Sequence, residues 1–382
     1  MKRNFLTMML FSAVALTMGC AQSGSTENKF GAYKLVECEF STKESTSQIK
    51  AIFESATILP LEQSEDSMVA SNSELLEFNG DYYLIDKQQR SCHRFDKDGK
   101  FKNVIGHSGR AGNEYLDIAS VQADGDDILI YSTLTQKLYR YSVEGEFLGA
   151  TETGIRAQQL LKADNKYYGY FGYDNGQQEE RVLLYNDAFE PIGRYLPSSA
   201  KLIVFSEGVA PISQQGDVVN VRETYSNCIF QLLDDGEVST PIAFDFGKYN
   251  IPPEVFTQTD PMKAVEIMLA QDFASIVRYK ATPSCSLVEV IFQMTDQTTY
   301  SMVGVSDEND NFKWITTSTE GDNAMLYFTA RNTSEDGTVT ALVDQDFVKE
   351  FDAKNKGFFT NIEAGECEDN SNPFIVKFKI SR

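Results

Sequence analysis

An all-β architecture is written into Leu75-Leu76-Glu77-Phe78-Asn79-Gly80-Asp81-Tyr82-Tyr83-Leu84-Ile85-Asp86, followed by Ser91-Cys92-His93-Arg94-Phe95 and then Asp98-Gly99. Asn-Gly and Asp-Gly accept positive φ at little steric cost and mark tight hairpin turns. The runs between them are rich in Tyr, Ile, Leu and Phe, which fit a pleated surface. Their alternation turns one face inward. One meander of this size cannot bury that face alone, so copies of it must stack.

The copies are there. Val121-Gln122-Ala123, Asp124-Gly125-Asp126, Ile128-Leu129-Ile130-Tyr131 and Lys137-Leu138-Tyr139-Arg140-Tyr141 repeat the arrangement and close on Glu144-Gly145. A third runs from Leu160 through Asp164-Asn165-Lys166 and Tyr167-Tyr168-Gly169-Tyr170-Phe171 to Val182-Leu183-Leu184-Tyr185. A fourth has Gly216-Asp217, Val218-Val219-Asn220-Val221 and Cys228-Ile229-Phe230-Gln231-Leu232. Weaker copies follow at 287–292 with 301–305, and at 325–328. The turn residues Asp81 and Asp126 lie 45 residues apart. That period suits a four-stranded propeller blade, whereas a β-sandwich shows turns every 8–12 residues without it. Ile58 to Ile380 leaves room for six units. The expectation is a single all-β domain over 46–382, a six-bladed β-propeller of four-stranded antiparallel blades. The strand near 58–61 is expected to pair in the blade containing 374–380, which closes the ring and removes open edges. One segment departs from the pattern. Asp260 as N-cap and Pro261 at the first helical position open a helical insertion expected near 260–280, with Ala264, Val265, Ile267 and Met268 clustered on one side.

The N-terminus reads as an address. Lys2 and Arg3 precede a short apolar run from Phe5 to Met18, too short for a span of about 20 residues and typical of an export signal. The leader is assigned to 1–19, with Cys20 as the lipidated first residue and 20–45 as the lipidated N-terminus and a flexible tether. Leu16-Thr17-Met18-Gly19-Cys20 is similar to a bacterial lipobox, with the usual Leu one place early. The 382 residues carry 34 Lys+Arg against 56 Asp+Glu, a net charge of −22. Such a surface repels phosphate backbones, which excludes nucleic acid as a partner. Cys38, Cys92, Cys228, Cys285 and Cys367 form no C-x-x-C, so neither a redox pair nor a paired-Cys zinc site is indicated. Buried apolar roles are expected for most of them.

Four stretches together carry a family resemblance. They are Leu59-Pro60-Leu61-Glu62 through Asp66-Ser67-Met68, then Ile105-Gly106-His107-Ser108-Gly109-Arg110-Ala111-Gly112-Asn113-Glu114-Tyr115, then Ile251-Pro252-Pro253-Glu254 with the helix after it, and Asn372-Pro373-Phe374-Ile375-Val376. In this order the chain resembles the TolB-like six-bladed β-propeller lipoproteins of the Bacteroides group. Asn113 stands where that family usually has Pro. The resemblance implies a fold and an envelope location and no established reaction. The tether after Cys20 has only Glu27 where surface-exported lipoproteins of that group carry an acidic run, so the expectation is an outer-membrane lipoprotein facing the periplasm, with the cell surface as the alternative. Asp66-Ser67-Met68 also matches the short O-glycosylation pattern of that bacterial group.

Chemistry is thin. In the Gly-rich turn, Arg110, Asn113, Glu114 and Tyr115 are the candidate ligand-binding residues, since Arg110 can hold a carboxylate bidentately. The alternative is a structural connection with Arg110 paired to Glu114. The glycine spacing matches neither G-x-G-x-x-G nor G-K-[ST]. His93, expected to be exposed on its strand, and His107 are the only imidazoles, so three-His zinc chemistry is excluded. The acidic runs 124–127 and 366–369 lack the EF-hand pattern and read as solvated turns. Ser334-Glu335-Asp336-Gly337-Thr338 reads as a hairpin turn. No catalytic residue, metal or cofactor is assigned. The expected role is a non-enzymatic binding or scaffold module for an envelope protein, peptide or glycan, with the membrane reached only through the lipid. The rival is a periplasmic carbohydrate-active hydrolase or lyase. Carboxylates with an Arg at the channel mouth favour the rival, and an aromatic plug favours the scaffold.

Overall fold

The computed structural model describes residues 33–40, 46–172, 180–197, 202–203, 210–233, 236–282, 284–309, 311–317, 329–334, 336–361 and 372–381. Six small sheets are arranged as the blades of a propeller. Blade 1 is β3 (Glu74–Phe78), β4 (Asp81–Asp86), β5 (Ser91–Phe95) and β6 (Phe101–Val104). Blade 2 is β7 (Ser120–Asp124), β8 (Asp127–Ser132), β9 (Lys137–Ser142) and β10 (Phe147–Glu152). Blade 3 is β11 (Gln159–Ala163), β12 (Lys166–Tyr170), β13 (Glu180–Tyr185) and β14 (Pro191–Pro197). Blade 4 is β15 (Ile212–Gln215), β16 (Val218–Arg222), β17 (Cys228–Leu232) and β18 (Val238–Asp245), and blade 5 is β19 (Phe273–Ala281), β20 (Ser286–Gln293), β21 (Thr299–Ser306) and β22 (Phe312–Thr317). Blade 6 is β23 (Thr329–Thr333), β24 (Thr338–Val343), β25 (Phe374–Ile380) and, from the other end of the chain, β2 (Phe53–Pro60).

The turns have the expected chemistry. Asn79 and Gly80 take φ of 52° and 83°, the paired positive values of a tight hairpin. Ser334 and Gly337 close the β23–β24 turn through Gly337 N donating to Ser334 O at 3.0 Å. Ring closure is also as read from the sequence. β2 pairs antiparallel with β25, placing Ile58 opposite Val376 and Pro60 opposite Phe374.

The first strand of each blade lines the centre, and neighbouring inner strands run in phase. Ser120 Oγ donates to Leu160 O at 2.9 Å, and Gln122 Nε2 donates to Lys162 O at 3.2 Å. Gln159 Nε2 donates to Ile212 O at 2.9 Å. This common sense sorts the connections onto two faces. Blade-to-blade segments such as 61–73, 105–119, 153–158 and 246–272 emerge on one side, called here the loop face. Short hairpin turns such as 79–80, 125–126 and 164–165 emerge on the other, the turn face.

Two boundaries differ from the sequence reading. The helical insertion is α2 (Pro261–Leu269), capped by Asp260, whose carboxylate accepts from Met262 N at 2.9 Å. It stops short of 280 because residues 273–281, rich in β-branched and aromatic side chains, supply the inner strand of blade 5. Within the expected tether, β1 (Lys34–Glu37) joins blade 4 as a fifth strand, parallel to β18, with Lys34 opposite Ile242. The propeller therefore begins at β1 rather than at 46. Its apolar contact is Val36, packed with Phe244 and Ile276. Two further helices, α1 (Thr46–Ile52) and α3 (Gln345–Lys354), were not foreseen; α3 packs Phe347, Val348 and Phe351 into blade 6. The last weak copy, 325–328, lies outside the described residues, as does Cys20.

Candidate functional site

The Gly-rich connection between blades 1 and 2 folds as a closed turn. Gly109 N donates to Tyr115 O at 2.9 Å and Tyr115 N donates to His107 O at 3.2 Å. Glu114 Oε2 accepts from Ala111 N at 2.8 Å. Gly106 is required: its φ is 64°, and a Cβ there would lie 2.5 Å from the Tyr141 ring. At Gly109 a Cβ would collide with the Glu114 carboxylate, while at Gly112 it would meet open space. Tyr141 Oη donates to Asn113 O at 2.9 Å, and Tyr115 Oη donates to Ile105 O at 3.2 Å. Tyr115 meets Tyr139 and Tyr141 edge to face, both at 6.3 Å. Burial pushes the Tyr115 and Tyr141 phenols well above the usual tyrosine range.

The four candidate ligand residues are thus divided. Arg110 and Asn113 are exposed. Glu114 is engaged by the turn's own backbone, so the expected Arg110–Glu114 pair does not form. Tyr115 is wholly buried in the core between blades 1 and 2 and is not available to a ligand.

His93 is a second correction. It is 7% exposed, not on the surface. The register sets Leu84 opposite His93 and Asp86 opposite Ser91. This face of blade 1 carries Leu75, Leu84 and Phe95, which pack against Leu342 and Ile375 of blade 6 beneath Leu61 and Val69. The segment 62–73 covers it. Asn372 of blade 6 holds that segment, donating to Glu62 O and Ser67 O at 2.9 Å each and accepting from Val69 N at 3.0 Å. Ser67 is fully buried and its hydroxyl donates to Glu62 O at 2.8 Å, so the folded chain does not present the Asp66-Ser67-Met68 hydroxyl.

At the loop-face mouth of the channel, a cavity of about 90 Å³ is lined by Glu74, Lys87, Ser120, Gln158, Gln159 and Pro211. Lys87 Nζ pairs with Glu74 Oε1 at 2.6 Å. This space is well below the usual ligand pocket. Its described lining is neither a carboxylate–arginine cluster nor an aromatic plug.

Other charged groups serve the frame. Asp124 pairs with Arg140 and with Lys162, the latter at 2.7 Å, so the 124–127 run is a salt-bridged turn. Among the described residues, no group of three or more His, Cys, Asp or Glu could hold a metal ion. Cys38, Cys92 and Cys285 are buried and not disulfide-bonded, and burial raises the Cys38 and Cys92 thiols to about 12. Cys228 is disulfide-bonded. Sequence reading missed two buried ion pairs, Arg181–Glu223 at 3.0 Å between blades 3 and 4 and Arg278–Glu289 at 3.2 Å within blade 5. Their only sequence signal is a charge at an inward position of an apolar strand.

Comparison with known proteins adds the following. A family model described as a domain of unknown function, DUF4934, matches residues 35–379. A structure from Bacteroides fragilis, of a protein whose name places it among exported proteins, superposes with a TM-score of 0.70 at 17% identity, covering 91% of this chain and 100% of that one. A member of the DUF4221 family from Bacteroides vulgatus superposes with a TM-score of 0.51 at 10% identity, covering 86% and 97%. At these identities the likeness concerns the fold. No curated protein matches in sequence.

Proposed function

The chain belongs to the DUF4934 family, and from that premise we propose that it is an exported, envelope-tethered propeller. It acts as a non-enzymatic binding or scaffold module for an envelope protein, peptide or glycan. The observation that carries this reading is the inequality of the two faces. The loop face holds the long connections, α2 and the exposed apolar side chains Met68, Leu134, Met262 and Leu269, while Leu35, Phe147, Leu148, Ile192 and Leu233 are exposed on outer strands or at the turn face. The described cavity at the channel mouth is about 90 Å³, below the usual ligand pocket, and this supports the rim as the binding surface.

β1 runs parallel to β18 towards the loop face, so Lys34 lies at the turn-face end of blade 4. The disulfide at Cys228 suits an oxidising compartment, and the Bacteroides fragilis neighbour bears the name of an exported protein. Among the described residues no helix is long and apolar enough to cross a membrane. Placement as a periplasm-facing outer-membrane lipoprotein of TolB-like kind rests on the lipobox and the four short motifs.

The test is thermal unfolding of the lipid-free domain against divalent cations, glycans and cell-wall peptides. A ligand at 100 times its Kd stabilises by about 2.7 kcal/mol. The expected shift disappears in Met262→Asp or Leu269→Asp and survives in Leu233→Asp on the turn face. The reverse pattern overturns the loop-face assignment, and turnover of a bound glycan or peptide overturns the non-enzymatic reading. Loss of membrane partition in Cys20→Ser tests the anchor separately.

A further inference from the structure

Four polar atoms on one face of blade 1 are buried without a hydrogen-bond partner in the protein: Ser73 Oγ, Asp86 Oδ2, Ser91 Oγ and His93 Nδ1. Asp86 stands opposite Ser91, and His93 lies two residues further along the same strand face. Ser73 precedes Glu74, whose partner is Ile85, and so falls across from Asp86 on the other side. The four therefore share one patch across three strands. Asp86 and Ser73 are each 2% exposed and His93 is 7% exposed. Isolated orphan atoms are uncommon in native proteins, and a cluster of four calls for an occupant.

The chemistry of the four limits what that occupant is. The other oxygen of Asp86, Oδ1, accepts from Gln88 N and Gln89 N at 2.9 Å each. The Asp66 carbonyl faces the His93 ring, and a neutral imidazole keeps one acceptor nitrogen. A carboxylate oxygen and a ring nitrogen thus share a buried patch with two hydroxyls. A calcium ion wants six to eight oxygens and a zinc ion three or four strong ligands, and Asp86 with His93 supplies two. Water meets the requirement, because it donates to Asp86 and His93 and accepts from the serines. Buried waters make about three such bonds each.

We infer that Ser73, Asp86, Ser91 and His93 form an internal water site that fastens the 62–73 segment to blade 1 and makes it an acid-sensitive latch beside the channel mouth. The latch lies next to the mouth because Lys87 and Glu74, neighbours of Asp86 and Ser73, line the channel cavity. The groups facing His93 are few. β4 contributes Asp86, the covering segment contributes the Asp66 carbonyl, β6 contributes the Phe101 ring at 6.0 Å, and blade 6 contributes only Leu342 and Ile375 to this cluster. Burial holds the His93 imidazole below its ordinary range, opposed by Asp86 and by the Asp66 carbonyl. The sign follows. The unfolded or opened segment takes up a proton that the closed one resists, so closure is strongest above about pH 6.5 and weakens as pH falls below it.

Hydrogen exchange of the lipid-free domain at pH 7.5 and pH 5.0, corrected for intrinsic rates, tests this. The 62–73 segment is expected to lose protection at least about tenfold more than 105–119 between the two pH values, a difference of roughly 1.4 kcal/mol. His93→Gln, which cannot protonate, should abolish the difference. Equal protection at both pH values, or equal loosening of both segments, overturns the latch. A high-resolution crystal structure of the unaltered protein gives a second readout that does not depend on the variant folding. A water within hydrogen-bond distance of at least three of the four atoms supports the site. Direct contacts that close the patch, or a metal ion there, overturn it.

Discussion

Two connections reach the loop face on either side of blade 1, and they bury polar groups differently. Segment 105–119 is locked mostly from within: Glu114 holds the Ala111 amide and Tyr115 the Ile105 carbonyl, while Tyr141 of β9 holds the Asn113 carbonyl. Segment 62–73 adds to its internal Ser67–Glu62 bond three from Asn372 outside it, and with Ser73 it shares a patch of four unmatched polar atoms. The first carries the conspicuous glycines and the candidate ligand residues; the second carries only the end of the opening family stretch, Asp66-Ser67-Met68. A conspicuous motif here marks a backbone that must turn tightly against a tyrosine core. Unsettled chemistry lies under the plainer segment.

The self-locking turn gives the largest expected effect. Tyr115→Ala removes a wholly buried aromatic from the core shared by blades 1 and 2, at a cost of about 3–5 kcal/mol. Equilibrium denaturation should show it as a lower midpoint. A loss under 1 kcal/mol would mean that Tyr115 is not part of a rigid core, and its role as a ligand residue would reopen. Gly106→Ala comes next. It forces a side chain into positive φ and against the Tyr141 ring, at about 3 kcal/mol for strain and displacement together. Gly112→Ala, with open space around its Cβ, is the control and should change little.

The externally held segment should respond locally. Asn372→Ala removes three hydrogen bonds to 62–73 and leaves the Val69 amide without its acceptor. The expected cost is about 2 kcal/mol, with hydrogen exchange rising across 62–73 and unchanged across 105–119. If both segments loosened together, the contrast between them would fail and the loop face would move as one unit.

The fold was legible because its signal repeats. Asn79-Gly80, Asp124-Gly125 and Asp164-Asn165 each stand between strands of matching pattern, and β2 reaches β25 as the terminal strands required. β1 was missed because four residues with a single inward side chain, Val36, carry too little periodicity to separate a strand from a tether. α2 was placed by its cap but extended too far, since helix and strand propensities overlap in 270–280 and only the need for an inner strand decides between them. His93 was read as exposed because alternation along one strand gives two faces without saying which is covered. That knowledge belongs to blade 6 and Asn372, about 280 residues away in sequence. The buried pairs Arg181–Glu223 and Arg278–Glu289 were illegible for the same reason, since a strand arginine looks solvent-facing until its partner is found.

The smallest expected effect separates the two readings of the Gly-rich turn. Arg110 is exposed and Glu114 is engaged by the Ala111 amide. Arg110→Ala should therefore change stability by no more than about 0.5 kcal/mol, the usual range for an exposed position. Had Arg110 been paired with Glu114, its removal would have freed a carboxylate beside Gly109 and loosened the turn. Because the lock is made by backbone amides and tyrosines, the arginine is left unconstrained by the fold. A flat denaturation curve for Arg110→Ala, together with weakened binding of any carboxylate-bearing ligand that the unfolding panel identifies, would assign Arg110 to recognition. A destabilised turn would return it to structure, and segment 105–119 would then depend on a charged side chain while 62–73 depends on the neutral Asn372 amide.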